Sequence, residues 1–264
     1  MVMGLIETII LGLIQGLTEF IPISSSCHLV IAQNFFSGAS DHLFLEWINI
    51  GTMLALITYF WRRIWGIIQD VTVKRNFRLA RNILITSVPA GVVGFVLSGF
   101  IEDSAFFGSL IVVAITLFVI GIVMIILEKL PRLSDVKNGE ALSSRRSLLV
   151  GLAQMLALIP GVSRSGSTII AGRLSGLSSK EAAEYSFLAS LPLMAGVTLK
   201  IFLQDSQYLA DNFSMLILSN TIAFISGILA IGFLLRYLAN HSLAIFGWYR
   251  VSLAAVLSVV VLLQ

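Results

Sequence analysis

A run of nineteen residues, from Ser109 to Leu127, contains no charged side chain, and this feature restricts the fold more than any other. An α-helix needs about 20 predominantly apolar residues to cross the hydrocarbon core of a bilayer. Hydrophobic residues make up 57% of the 264-residue chain and charged residues 12%, whereas a soluble domain has about 25% charged residues. A chain with so few charges cannot cover a water-facing surface. The sequence therefore predicts a polytopic membrane protein.

The same composition excludes other classes of protein. Cys27 is the only cysteine, so no disulfide can form within the chain. The net charge is only +3, and eleven of the 17 lysines and arginines lie in the segments 62–81 and 129–146, where they serve topology, so we expect no nucleic-acid partner. The first seven residues carry no positive charge, and we expect no cleaved signal peptide.

Two long apolar segments, 4–36 and 148–175, are interrupted near their middles by helix-disrupting residues. Pro22 precedes three serines in the first segment, and Pro160-Gly161 precedes a Ser/Gly-rich stretch in the second. Non-helical backbone at membrane depth is tolerated only where it is buried in protein or lines a cavity, so each segment predicts a re-entrant helical hairpin. Six uninterrupted segments complete an all-α fold as predicted transmembrane helices: 43–61, 82–101, 108–127, 182–203, 213–235 and 243–263.

The distribution of basic residues predicts the orientation in the membrane. Lysines and arginines are concentrated in the segments 62–81 and 129–146, whereas Glu102-Asp103 and the loop 205–211 provide acids and no base. The positive-inside rule makes the basic loops cytoplasmic. Counting spans outward from them places both termini outside a bacterial plasma membrane. The first hairpin then enters from outside, and the second enters from the cytoplasm.

The two halves of the chain, about 1–135 and 140–264, resemble each other weakly at an offset near 139 residues. Ser24, for example, corresponds to Ser163. Each half contains one hairpin and three spans, which is an odd number of crossings, so the halves must be inverted relative to each other. Inverted repeats with broken helices place a polar site near the bilayer midplane. We predict a single membrane domain, 1–264, with this inverted-topology repeat and a site that opens outward.

The first hairpin carries a concentration of reactive side chains. Gln15 and Glu19 are four residues apart and project from one face of a helix. Hydroxyls gather at Ser24–Ser26, where a helix would restart, and His28 follows one turn later. Ionisable residues inside a membrane segment indicate function. The alternative is that the serines only cap a helix while Glu19 and His28 pair with each other.

The second hairpin has the features of an anion site. Glycines allow close backbone approach, and N–H groups at the start of the following helix bind anions. Arg164 adds a planar fork suited to phosphate. The alternative is a close-packed turn in which Arg164 pairs with an acid. The predicted phosphate-binding residues of the two hairpins are Ser24, Ser26, Ser163, Arg164, Ser165, Gly166 and Thr168.

Two strings in these hairpins resemble the undecaprenyl-diphosphate phosphatases of the bacitracin-resistance type. They are Gln15–His28, QGLTEFIPISSSCH, and Pro160–Gly166, PGVSRSG, and the resemblance extends from Leu5 to Arg250. It implies a plasma-membrane enzyme that hydrolyses undecaprenyl diphosphate to undecaprenyl phosphate and inorganic phosphate. The product is the recycled lipid carrier of cell-wall synthesis. The family is described as dependent on magnesium or calcium.

The resemblance also implies roles for individual residues. Ser25 would attack the distal phosphate in line, with attack by His28 or by water as alternatives. His28 would act as acid or base for Ser25 and for the leaving group. Arg164 would hold the phosphates, and Glu19 with Gln15 would position a Mg²⁺ or Ca²⁺ ion through oxygen ligands.

Two residues depart from the family pattern, and one other class of function fits the sequence. Gln15 removes a charge from the predicted metal site, and Cys27 stands where glycine is expected. A transporter or flippase for a lipid phosphate would use the same inverted-repeat architecture. It would need Arg164 for its anion but no nucleophile at Ser25. The predicted partners are a polyprenyl diphosphate and the bilayer, and the sequence allows either a monomer or a homodimer.

Overall fold

The computed structural model describes residues 4–36, 41–104, 106, 109–131 and 134–263, and the regular elements in these ranges are all helices. Two single 3₁₀ turns, at Gly139–Ala141 and Leu156–Leu158, accompany the α-helices. The α-helices are α1 Leu5–Phe20, α2 Ser25–Phe36, α3 His42–Trp47, α4 Asn49–Tyr59, α5 Trp61–Thr72, α6 Arg78–Val96, α7 Ser98–Asp103, α8 Leu110–Leu127, α9 Ser144–Met155, α10 Arg164–Leu174, α11 Ser179–Gln204, α12 Ser206–Asp211, α13 Phe213–Asn240 and α14 Ala244–Leu263.

Five single helices in the described ranges are long and apolar enough to cross a membrane, namely α6, α8, α11, α13 and α14. A sixth candidate span consists of His42–Tyr59 followed by Trp61–Thr72, with a bend of 71° between the two parts. The prediction of an all-helical, multi-span protein is thus confirmed. The predicted span 43–61 differs, because it forms one arm of a bent pair. Residue 108, the predicted start of a span, lies outside the described residues.

In both interrupted segments the helix ends just before the proline, as the sequence predicted. α1 ends at Phe20 before Pro22, and α9 with its 3₁₀ turn ends at Leu158 before Pro160. The residue before each restarting helix has an unusual left-handed backbone, with φ of 74° at Ser24 and 72° at Ser163. The two breaks therefore share a positive φ at the residue before the restarting helix.

Each interrupted segment packs mainly against a long helix from the other half of the chain. α1 lies along α13, α9 lies along α6, and α8 lies along α14. The backbones of α1 and α13 approach closely at Gly16, where an added Cβ would lie 2.5 Å from the carbonyl oxygen of Ala223. This packing brings the two breaks together near the middle of the helix assembly.

Candidate active site

A buried arginine ties the two breaks to each other. Arg250 of α14 is fully buried and donates from Nη1 to the carbonyl oxygen of Pro22 at 3.2 Å. Its Nη2 donates to the carbonyl oxygens of Gly161 at 2.6 Å and Val162 at 3.2 Å. Because a buried cation needs compensating acceptors, this clamp stabilises the approach of the two breaks. It also explains how an arginine is accommodated inside an apolar span.

The second break requires glycine at position 161. Gly161 has a φ of 86°, and a Cβ there would lie 2.2 Å from Oγ1 of Thr116. The same Thr116 hydroxyl donates to the carbonyl oxygen of Pro160 at 2.7 Å. The lack of a side chain thus lets α8 support the turn directly, and the turn presents the start of α10 to α1.

Glu19 lies at the centre of the site and accepts hydrogen bonds from both hairpins. Its Oε2 accepts from Oγ of Ser25 at 2.7 Å and from Nε2 of Gln15 at 3.2 Å. Its Oε1 accepts from Nη2 of Arg164 at 2.5 Å. The structure therefore brings together Glu19, Ser25 and Arg164, which the sequence assigned to one site. The carboxylate serves as the meeting point between hydroxyl and guanidinium.

The Arg164 guanidinium is only partly satisfied by this contact. Its Nη1 is buried and has no hydrogen-bond partner among the described residues, while its Nη2 is committed to Glu19. Buried polar atoms are almost always hydrogen-bonded. Nη1 of Arg164 shares its unpaired state with Nε of Arg250, and at the edge of the Glu19 cluster it is a donor able to take a further acceptor. A phosphate oxygen is the acceptor that a guanidinium binds best.

The other predicted phosphate-binding residues differ in how far their polar groups are already used within the protein. Ser163 caps α10 by accepting from the N–H of Gly166 at 3.2 Å, and Ser26 is exposed. Ser165 instead donates to the carbonyl oxygens of Glu19 and Ile21 at 3.4 Å each, which joins the hairpins. Two further members are buried, and their polar contacts are internal: Ser24 bonds to Ser26, and Thr168 bonds to Ser186 and to the carbonyls of Arg164 and Ser165.

His28 takes different partners from those expected. Its Nδ1 lies 2.7 Å from the carbonyl oxygen of Ser24, and its Nε2 lies 2.6 Å from the hydroxyl of Tyr249. Both ring nitrogens are therefore engaged away from Ser25 and Glu19. Sequence reasoning missed Tyr249. The signal available was its place beside Arg250, in an otherwise apolar span.

A second residue that sequence reasoning missed extends the site along α4. Asn49 accepts from Nε2 of Gln15 at 2.6 Å, and Thr52 lies 3.5 Å from the same nitrogen. These contacts orient Gln15 toward Glu19. Within the described ranges no three His, Cys, Asp or Glu side chains are grouped to hold a metal ion. Glu19 is thus the carboxylate available to a cation at this site.

The fold and the site together define a polytopic membrane protein in which a hydroxyl, a carboxylate and a guanidinium meet at the junction of two broken helices. The chain belongs to the family of the bacitracin resistance protein BacA, which matches residues 8–256. It is 32% identical over 263 residues to undecaprenyl-diphosphatase 2 of Paramagnetospirillum magneticum, covering 98% of this chain and 100% of that protein. It is 36% identical over 258 residues to undecaprenyl-diphosphatase 1 of Clostridioides difficile, covering 95% and 93% of the two chains. The family expected from the sequence strings is confirmed.

Arg164 contacts Glu19 through Nη2 and has an unpaired Nη1, and this arrangement leads to a prediction for a charge-conserving change. Arg164→Lys should lower phosphate release from a polyprenyl diphosphate by about 100-fold, because an ammonium cannot bind a carboxylate and a phosphate through one planar fork. Initial rates in detergent measure this loss. The matched control is Arg236→Lys at an exposed position of α13, which should retain wild-type rates. Near wild-type activity of Arg164→Lys would show that the positive charge of Arg164 suffices and that its planar fork is not needed.

Proposed function

We propose that this protein hydrolyses the distal phosphate of undecaprenyl diphosphate, giving undecaprenyl phosphate and inorganic phosphate. Membership in the BacA family and full-length similarity to proteins named undecaprenyl-diphosphatases support this activity. One observation carries the chemistry: Glu19 joins a hydroxyl, on Ser25, to a guanidinium, on Arg164. A nucleophile, a proton acceptor and an oxyanion partner are the groups that phosphoryl transfer requires. The lipid product would return to cell-wall synthesis as a carrier.

In the proposed reaction, Ser25 attacks the distal phosphorus through Oγ. A new Oγ–P bond forms, the bond from phosphorus to the bridging oxygen breaks, and undecaprenyl phosphate leaves. Glu19 takes the Ser25 proton, which the 2.7 Å hydrogen bond between these side chains supports. Water then releases phosphate from the serine. His28, predicted to be the acid or base, has no hydrogen bond to Ser25, so its role in this scheme concerns the leaving group and the water.

The phosphates would be held by side chains and backbone from both hairpins. The unpaired Nη1 of Arg164 supports a bond to a distal phosphate oxygen. The hydroxyls of Ser26 and Ser163, with the N–H groups at the starts of α2 and α10, would supply further donors. Positive donors aimed at the transferring group stabilise its charge in the transition state.

We also propose that a divalent cation, Mg²⁺ or Ca²⁺, takes part. Mg²⁺ is commonly bound by one or two carboxylates together with substrate phosphates rather than by an all-protein cage. A site with Glu19 as its one carboxylate fits that pattern. The amide nitrogen of Gln15 faces Glu19, so the amide oxygen would join the cation only after the side-chain amide turns over. When bound, the cation would neutralise part of the diphosphate charge.

The proposed topology is an inverted repeat whose two re-entrant hairpins meet at the site. Nearly equal positive φ angles at Ser24 and Ser163, 139 residues apart, support it. The same offset relates Ser25 to Arg164, the two groups that contact Glu19. The reciprocal packing of α1 on α13 and α9 on α6 provides further support. With the basic loops in the cytoplasm, both termini and the mouth of the site would face outward.

Thiol labelling in a Cys27→Ala background tests the outward orientation. A cysteine at exposed Ser26 should react with a membrane-impermeant maleimide added outside intact cells, because Ser26 lies at the break of the outward hairpin. Gln207→Cys in the acidic loop is the control expected to react from outside. Asn240→Cys, at the opposite end of α13, should react only after the cells are opened. Reaction of Ser26→Cys only in opened cells would contradict the outward assignment.

Release of inorganic phosphate by purified protein in detergent tests the activity itself. Detergent removes membrane sidedness, so a transporter would give no chemical product, whereas a diphosphatase would release one phosphate per lipid. The assay with and without a chelator also tests the proposed cation. Absence of phosphate release at every Mg²⁺ and Ca²⁺ concentration would overturn the proposed function and favour the transporter.

A further inference from the structure

We propose that Tyr249 is a positioning residue that fixes the proton arrangement of His28. The two side chains come from helices α2 and α14, and they meet through a 2.6 Å contact between Nε2 and the phenol oxygen. Their rings are stacked, with centroids 5.7 Å apart and planes inclined by 10°. The contact thus combines a short hydrogen bond with a fixed ring orientation.

The tautomer of His28 follows from its other neighbour. A carbonyl oxygen has no hydrogen to donate, so the 2.7 Å contact between Nδ1 and the Ser24 oxygen requires a proton on Nδ1. In the neutral ring, Nε2 then carries the lone pair. The Tyr249 hydroxyl must therefore donate to Nε2. The backbone of the first break and the phenol of α14 together select one tautomer.

A phenol serves this purpose in both protonation states of the ring, because it is both a donor and an acceptor. It donates to Nε2 when His28 is neutral, and it accepts from Nε2–H when the ring is protonated. Phenylalanine can keep the stacking but can do neither. Only the hydroxyl therefore lets the ring gain and lose a proton at Nε2 without changing its position.

The placement of Tyr249 ties this control to the geometry of the site. The next residue, Arg250, holds the carbonyl oxygens of Pro22 and Gly161. One turn of α14 thus holds both breaks, through Arg250, and His28, through Tyr249. Nδ1 is committed to the backbone, so Nε2 is the ring nitrogen that can gain or lose a proton, and it does so within its contact with the Tyr249 hydroxyl. This role in catalysis rests on the proposed diphosphatase activity. The hydrogen bond between His28 and Tyr249 is a property of the fold and does not depend on that activity.

The chain contains a matched control pair. Tyr237 stacks on His241 with centroids 4.4 Å apart and planes inclined by 12°, and Nδ1 of His241 lies 3.1 Å from the Tyr237 carbonyl oxygen. Among the described residues, no phenol hydroxyl bonds to Nε2 of His241. Tyr237→Phe therefore removes a hydroxyl from a stacked Tyr–His pair without removing a histidine contact.

Nitrogen NMR of ¹⁵N-histidine-labelled protein in detergent tests the contact without any substrate. In a His42→Gln background only His28 and His241 contribute signals. Tyr249→Phe should move the chemical shift of Nε2 of His28 toward that of an unprotonated ring nitrogen that accepts no hydrogen bond. The resonance of Nδ1–H should stay in place. Tyr237→Phe should leave both resonances of His28 unchanged. An unchanged Nε2 resonance in Tyr249→Phe would overturn the proposal.

Steady-state kinetics test whether the contact matters for turnover. Tyr249→Phe should lower kcat about tenfold with KM within about twofold, because positioning a proton-transfer group affects the chemical step rather than ground-state binding. In a His28→Ala background the same change should lower the residual kcat by less than about twofold, since the residue acts through His28. A kcat for Tyr249→Phe equal to that of Tyr237→Phe would overturn the proposal. If wild-type protein releases no phosphate, the proposed function fails, and the NMR result still decides the contact.

Discussion

Ser25→Ala should lower kcat for phosphate release by about 10,000-fold, the size of loss expected when a covalent nucleophile is removed. The Ser25 hydroxyl donates to Glu19 at 2.7 Å, so the alanine variant removes both the attacking oxygen and a partner of the carboxylate. Single-turnover assays with a radiolabelled distal phosphate measure the residual rate. In the wild-type protein the same assays should detect the phosphoserine intermediate that attack by Ser25 forms.

The controls for this result separate a nucleophile from a phosphate ligand. Ser98→Ala makes the same chemical change on α7, outside the site, and should retain wild-type rates. The sequence predicts that Ser25 and His28 form one unit, whereas the structure pairs Ser25 with Glu19. If the sequence prediction holds, the single and double alanine variants should show similar losses rather than additive ones. Substantial turnover by Ser25→Ala, combined with an inactive His28→Ala, would assign the attack to histidine or to water.

Glu19→Gln should lower activity by about 1,000-fold, within the range for loss of a general base. The carboxylate accepts from Ser25 and from Arg164, and an amide can neither take the serine proton nor balance the guanidinium. Phosphate release measured over a wide range of Mg²⁺ and Ca²⁺ concentrations tests this. Glu184→Gln, which changes an acid paired with Lys180 at 3.8 Å, is the matched control and should retain activity.

The metal dependence of these variants distinguishes two roles for Glu19. Loss at every metal concentration would identify it as a base, whereas partial recovery in excess metal would identify it as a cation ligand. Gln15→Glu supplies a second carboxylate on the same face of α1, and we expect it to lower the metal concentration needed for half-maximal activity. An unchanged requirement would place the cation away from this face.

The sequence predicted the interrupted helices and the central cluster because their signals are local. Pro22 and Pro160 mark chain breaks by simple backbone constraints. The four-residue spacing of Gln15 and Glu19 places both side chains on one helix face. The complementary chemistry of the two hairpins predicted that they meet at one site. Direct pairing of Arg164 with an acid was the alternative to phosphate binding, and the structure places Arg164 2.5 Å from Glu19, 145 residues earlier in the chain.

Other contacts could not be predicted from local pattern. The hydrogen bond between His28 and Tyr249 joins residues 221 positions apart, and it depends on how α14 packs against the first break. Asn49 lies in an apolar helix whose rotation decides whether it contacts Gln15. The 71° bend after Tyr59 likewise depends on packing, because the flanking sequence contains neither proline nor glycine at the break.

The position of the Arg250 clamp in the chain has a consequence for biosynthesis. Both breaks are synthesised before α14, yet the guanidinium that joins their carbonyl oxygens arrives with it. Membrane helices enter the bilayer in the order of their synthesis, and earlier segments fold while later ones are still being made. Until α14 is inserted, the two breaks lack the group that holds them in register. Assembly of the site is therefore completed by one of its last residues to leave the ribosome, and a nascent chain without α14 lacks a finished centre for attack on a diphosphate.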